Sequence, residues 1–384
     1  MSTSVGRARN GRRAYFWEEA ADDRRTRARE GRPGFSENIT RMLRGLRDGI
    51  GNEPGTVAAM RYAHRVELTD TERASDRLPA LYAAEHAALT LFGRHQQGAA
   101  ESAHRPGTGL GRACQALRRA EKLSESAVER RLIAAATAQD LHELVQHLYR
   151  LVPLLRQSCI GLDYTWLMYD LAAWEGPHRD RVLRSWGLQY GDPSAPGDTP
   201  DRQTEALPYW VRFDPDLTEN GGQLAALRSG AGREAGTVPA MWPYYGTRMP
   251  SELRDKGALT RDLVAEHTAL TLFGRHQQGR SRTMHAPGNS PGTAARLLLA
   301  KSSRSDEALE RRFGAMLTST DTGELAMHLR GFVTMLCRAD IGLDYDLLRT
   351  ALRTWDDPKL PHAQGRFRDR WDHDFRVGPM STNP

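Results

Sequence analysis

Residues 84–98, AEHAALTLFGRHQQG, recur as residues 265–279, AEHTALTLFGRHQQG, so that fourteen of fifteen positions agree at an offset of 181. The same offset aligns Gly55-Thr56-Val57 with Gly236-Thr237-Val238, His104 with His285, and Glu129-Arg130-Arg131 with Glu310-Arg311-Arg312. It also aligns His147-Leu148 with His328-Leu329 and the run IGLDY at 160–164 with its second occurrence at 341–345. No gap is needed from Gly55 to Tyr164; Trp174 still meets Trp355, and beyond them the register slips. A period this long exceeds any solenoid unit. In a chain of 384 residues, about twice the usual domain length, it means a duplicated domain.

Within one copy the apolar residues keep a helical period. Leu81, Ala84, Ala88, Leu91/Phe92 and His95 form one stripe, and Gly98 is placed to end that helix. Leu110, Ala113/Cys114, Leu117 and Ala120 form a second stripe. Ser126 followed by Glu129 fits a capping box for a helix running through Ala138. Leu141, Leu144/Val145, Leu148, Leu151/Val152 and Leu155 give a further stripe, which Pro153 is expected to kink because it lacks an N–H. Thr334 stands there in the second copy. Asp163 and Asp344 are placed to cap a last helix through Trp174 and Trp355. Nothing alternates with a period of two. The expected fold class is therefore all-α, with two similar helical-bundle domains in tandem.

Residues 1–35 read as a basic arm, dense in arginine, whose aromatic triplet Tyr15-Phe16-Trp17 is suited to docking while much of the rest is expected to be mobile. The first helical domain is expected over 36–190 and the second over 209–384. Between them, 191–208 (GDPSAPGDTPDRQTEALP) has the composition of a linker. No apolar run is long enough for a membrane span and no apolar stretch follows the basic amino terminus, so a cytoplasmic location is the default expectation. Cys114, Cys159 and Cys337 lie far apart, without CxxC spacing or an even framework, and read as small apolar residues.

Net charge is +6, and 50 of the 54 basic residues are arginine. The planar guanidinium suits bidentate phosphate contacts, although a GC-rich genome also inflates arginine. The charge leans towards a polyanionic partner.

Catalytic signatures are missing. There is no P-loop, GxSxG or HExxH, and Asp372-His373-Asp374 occurs in the second copy only. The histidines that repeat, His86/His267, His95/His276, His104/His285 and His147/His328, read first as hydrogen-bonded core or helix-end residues. An enzyme is not expected, and neither a cofactor nor a metal is indicated. The candidates for nucleic-acid contact begin with Arg94, His95, Gln96 and Gln97 and their repeats Arg275, His276, Gln277 and Gln278, whose long polar side chains surround a helix end. The competing reading is that Gln and His cap carbonyls and pair with neighbouring loops. Arg130, Arg131, Arg311 and Arg312 either reach phosphates or close internal salt bridges. Two clusters are not duplicated. Arg112, Arg118, Arg119 and Lys122 form a ridge on a helix of the first copy, where the second has Thr293, Leu299, Ala300 and Ser303. Arg280 and Arg282 stand where the first copy has Ala99 and Glu101. Either cluster is a phosphate site or a plain solvated face, and the two halves need not touch the same things.

The ordered set LTLFGRHQQG…H…ERR…HL…IGLDY…W, occurring twice, resembles the CasB family, the small subunit of the type I-E CRISPR Cascade complex. The resemblance covers about 45–190 and 226–375. The second copy fits better, with His328-Leu329-Arg330-Gly331 and a closing Arg370-Trp371-Asp372-His373-Asp374-Phe375. The resemblance implies a small all-helical protein without catalytic activity, two of which ordinarily sit side by side along the belly of the complex. It implies as partners the other Cascade subunits (the large subunit and the backbone subunits), the guide RNA and the target DNA backbone including the displaced strand, and no membrane. Sequence recognition is then left to guide pairing. Two other readings stand beside it: a free-standing helical scaffold or nucleic-acid-binding protein using its basic arm, and a helical metal-dependent hydrolase built on the repeated histidines.

Overall fold

The computed structural model describes residues 13–75, 77–99, 101–120, 124–192, 207–217, 220–301 and 306–378. Lys122, one of the expected contacts, lies outside the described residues. The first copy runs α1 (Phe16–Arg29), α2 (Glu37–Asp48), the short α3 (Asp70–Arg73), α4 (Ala80–His95), α5 (Leu110–Arg119), α6 (Glu125–Ala136), α7 (Leu141–Gln157), α8 (Tyr164–Ala172) and α9 (Arg179–Tyr190). The second runs α10 (Tyr209–Arg212), α11 (Asn220–Ser229), α12 (Ser251–Asp255), α13 (Arg261–His276), α14 (Pro291–Lys301), α15 (Asp306–Leu317), α16 (Thr322–Ala339), α17 (Tyr345–Thr354) and α18 (Ala363–Arg376). No strand occurs among the described residues; two isolated bridges, His104 with Leu162 and His285 with Leu343, sit at equivalent places in the copies. The chain divides into two compact units at residues 190/191, with Arg254–Gly257 grouping with the first. No described helix is long and apolar enough to cross a membrane.

The repeated motif is the axis of each unit. On α4 every residue from Ala84 to Gly93 is buried, as a helix enclosed on all sides requires. It packs against α2, α7 and α8, and α13 packs in the same way against α11, α16 and α17. The glycine of the motif admits the crossing helix. A Cβ on Gly93 would stand 2.7 Å from Leu46 Cβ, and one on Gly274 2.7 Å from Leu227 Cβ.

Part of the arm is built into the first unit. Phe16 and Trp17 are fully buried at the start of α1, and Trp17 Nε1 donates to Thr165 Oγ1 at 2.8 Å. Trp210 takes the equivalent place in the second unit, donating to Asp346 Oδ1 at 3.0 Å. The slip in register beyond Trp174 and Trp355 is absorbed between the last two helices. Trp174 still stacks on Trp186 at 5.2 Å, and Trp355 on Trp371 at 5.5 Å.

Several local expectations need correction. Helix α6 starts after Ser124, with no side-chain cap, and ends at Ala136, so Ser126 and Glu129 do not form its capping box. Asp163 does cap α8, accepting from Trp166 N at 3.0 Å, and Asp344 caps α17. These helices end just short of the tryptophans.

The close approach at the motif glycines has a measurable consequence. Gly93→Ala and Gly274→Ala should each destabilise the fold by about 1–3 kcal/mol, the usual cost of overpacking. Gly331→Ala on α16, with nothing within 4 Å of the added methyl, should not. Denaturant midpoints of the three variants check this, and equal midpoints would contradict the packing.

Candidate nucleic-acid interface

Four of the eight Arg-His-Gln-Gln candidates turn inward. His95 and His276 are 2% and 0% exposed, and Gln96 and Gln277 are buried beside them. His276 Nε2 lies 2.8 Å from the Ile341 carbonyl, which only accepts, so that nitrogen carries the proton and donates. Its Nδ1, 3.0 Å from the Tyr345 hydroxyl, is left to accept. His95 meets Tyr164 at the same 3.0 Å. Burial holds both imidazoles down to about 4, neutral at physiological pH. The glutamines clamp the following loop. Gln96 Oε1 accepts from Ala103 N at 2.7 Å while its Nε2 donates to the Glu101 carbonyl. Gln277 Oε1 accepts from Met284 N at 2.8 Å, and its Nε2 donates to the Arg282 carbonyl.

The remaining repeated histidines are engaged separately. His104 Nδ1 accepts from Tyr164 N and His285 Nδ1 from Tyr345 N, both at 3.2 Å. His86 Nε2 lies against the Gly49 carbonyl and His267 Nε2 against that of Gly230. His147 and His328 face Glu143 and Glu324 one turn away. They do not converge, and no group of three or more His, Cys, Asp or Glu among the described residues is arranged to hold a metal.

The arginines sort into tied and available. Arg280 and Arg282 flank Asp340, at 3.7 and 3.1 Å, so this loop pair is neutralised in part by the left-handed residue that ends α16. Arg112 donates to the Gly107 carbonyl at 2.8 Å and pairs with Asp255 at 3.2 Å. Arg119 is half-buried; Arg118 lies over the Tyr190 ring. Arg94 donates to the Tyr149 hydroxyl and lies 3.8 Å from the centre of that ring. Arg131 donates to the Ala127 carbonyl. Arg130, Arg311, Gln97 and Gln278 are exposed.

One turn of α16 gathers the available charge. Arg275 reaches it from α13, Nε donating to Thr334 Oγ1 at 2.7 Å, and Arg312 reaches it from α15, with Nη1 3.1 Å from Met335 Sδ. On α16 itself Arg330 and Arg338 are exposed one turn either side of Thr334. None of these four arginines pairs with a carboxylate among the described residues. The result is an exposed four-guanidinium face. Arg330 entered the sequence analysis only through its motif and Arg338 was missed. The signal for both was the i, i+4, i+8 spacing of 330, 334 and 338 on one helix.

The first copy does not reproduce this face. Tyr149 stands in place of Arg330, Pro153 of Thr334 and Gln157 of Arg338, and Arg94 is held on Tyr149. Net charge runs the other way. Residues 1–190 hold 29 basic and 23 acidic side chains, net +6, and residues 191–384 hold 25 of each. Local placement and bulk charge therefore distinguish the halves in opposite senses.

The model of the family described as CRISPR-associated protein Cse2 matches the chain twice, at 44–190 and 223–375. The solved structure of CasB from Thermobifida fusca is 30% identical over a match covering 46% of this chain and 95% of that one, with a TM-score of 0.33. Among curated proteins none matches the chain.

The buried imidazoles make a signed prediction. Their folded pKa lies below the unfolded value near 6.5, so their stabilisation is fully present above that value and is lost as pH falls towards 4. The stability gap between the native chain and His276→Gln should be widest at pH 7 and narrow as pH drops through 6.5. A gap that does not vary with pH would contradict the neutral, buried assignment.

Proposed function

Because the chain belongs to the Cse2 family of CRISPR-associated proteins, we propose that it is a non-enzymatic subunit of a type I-E Cascade surveillance complex. In this reading it steadies the opened target by contacting the backbones of the displaced strand and the guide–target duplex. Its protein partners are the large and backbone subunits of that complex. One observation carries the reading: the four carboxylate-free arginines gathered around the 334–335 turn of α16. Guanidinium groups in that arrangement neutralise phosphates and release counterions without reading bases. Exchange of a DNA duplex for a guide–target duplex is nearly balanced, so a few such contacts are enough to tip it. The fused copies supply in one chain what two separate small subunits supply elsewhere.

Two measurements test this. Replacing Arg275, Arg312, Arg330 and Arg338 together by Ala should weaken binding of single-stranded DNA and reduce the slope of log K against log salt by up to about 3, at ~0.7 per phosphate. An unchanged slope would remove this face from the interface. The mass of the complex assembled with guide RNA should correspond to one copy of this chain; a mass requiring two would contradict the fused-pair reading.

A further inference from the structure

We propose that the first copy carries a second single-strand site of its own, a cleft between α1 and α2 that takes one nucleotide and has no counterpart among the described residues of the second copy. The inference rests on the nucleic-acid reading above but uses different residues. The cleft holds about 300 Å³ and is lined by Arg24, Phe35, Arg44 and Arg47 together with the turn at Gln97. On α2, Thr40, Arg44 and Arg47 follow i, i+4, i+7 and so share the face that lines it. Arg44 is exposed and Arg47 half-buried, and neither pairs with a carboxylate among the described residues. Across from them the Arg24 guanidinium lies over the Phe35 ring, 5.0 Å from its centre. The acids nearest in sequence on α1 are already engaged: Asp22 pairs with Arg25, and Asp23 accepts from Ser36 N at 2.8 Å. Glu37 and Asp48 stand at the two ends of α2.

A stacked ring and guanidinium beside two open cations match what one nucleotide of a single strand presents, a π-face and a phosphate. An acidic polypeptide would use the cations and leave the ring without a role. Among its described residues the second copy lacks the parts. Ala225 stands at the position of Arg44, Arg228 is turned to the Gly274 carbonyl, and the helix that precedes α11 has only four residues, ending at Arg212.

The test is binding of a fluorescent thymidine oligonucleotide to the full chain across a salt series. Arg44→Ala with Arg47→Ala should weaken binding and reduce the salt slope by about 1.4, two phosphates' worth for a single strand. Phe35→Ala should weaken binding about tenfold with the slope unchanged, and Phe35→Trp should restore it, which separates stacking from misfolding. Native affinity in Phe35→Ala, or displacement of the strand by polyglutamate at equal charge, would overturn the proposal, the latter pointing to an acidic polypeptide instead. If the α16 variant weakens binding and the cleft variants do not, this inference alone falls; if the native chain binds no strand at low salt, both readings fall.

Discussion

In each unit a neutral imidazole at the end of the central helix meets the hydroxyl of a tyrosine at the start of a later helix, His95 with Tyr164 and His276 with Tyr345. In the second unit the other ring nitrogen donates to the Ile341 carbonyl, just past the end of α16. That contact braces the chain just after the left-handed Asp340 that ends α16, next to the last turn that carries Arg338. The neighbouring glutamine then clamps the loop that follows, so the motif sets the frame on which the surface arginines stand. Deep burial makes the contact strong in its neutral form and intolerant of charge, because a buried imidazolium would have to give up its hydration. Positions that must present several guanidinium groups at once benefit from such a rigid support.

Duplication separates what the fold needs from what the surface does. Residues that the fold depends on recur at one offset: the motif glycines, the inward histidines and glutamines, the capping aspartates. Many surface positions diverge, though Gln97/Gln278 and Arg130/Arg311 recur. On the outer face of α7, Tyr149, Pro153 and Gln157 replace the arginine–threonine–arginine row of α16. The first unit instead carries the excess charge, four of it from Arg7, Arg9, Arg12 and Arg13 ahead of α1, while the seven arginines of α1 and α2 are matched by six carboxylates. A homodimer of a single-copy protein cannot specialise its two surfaces in this way, because both carry one sequence; a fused pair can.

The helical architecture was legible in the chain because apolar periodicity and a long internal repeat are both direct consequences of packing. Asp163 and Asp344 were readable as caps for the same reason, since the requirement is local. The role of Arg-His-Gln-Gln was only half legible. Long polar side chains at a helix end suit a phosphate or a returning loop equally well, and the choice depends on residues 101–103 and 160–164 folding back, which no local pattern encodes. The Ser126 capping box was a false signal, because α6 starts two residues earlier, after Ser124, without any side-chain cap. The α16 face was hidden for a different reason. Its four arginines come from three helices, and of those only the pair on α16 shares a helical spacing.

The central claim is that the four arginines gathered around the 334–335 turn of α16, and not the buried His-Gln pair of the repeated motif or the Asp340-held loop pair, meet the nucleic acid. Arginine-selective modification of the full chain with phenylglyoxal, read residue by residue with and without saturating single-stranded DNA, tests it most directly. The account predicts DNA-dependent protection at Arg275, Arg312, Arg330 and Arg338, with little change at Arg280 and Arg282, which Asp340 already holds. Protection confined to Arg280 and Arg282, with the α16 face equally reactive in both states, would contradict it.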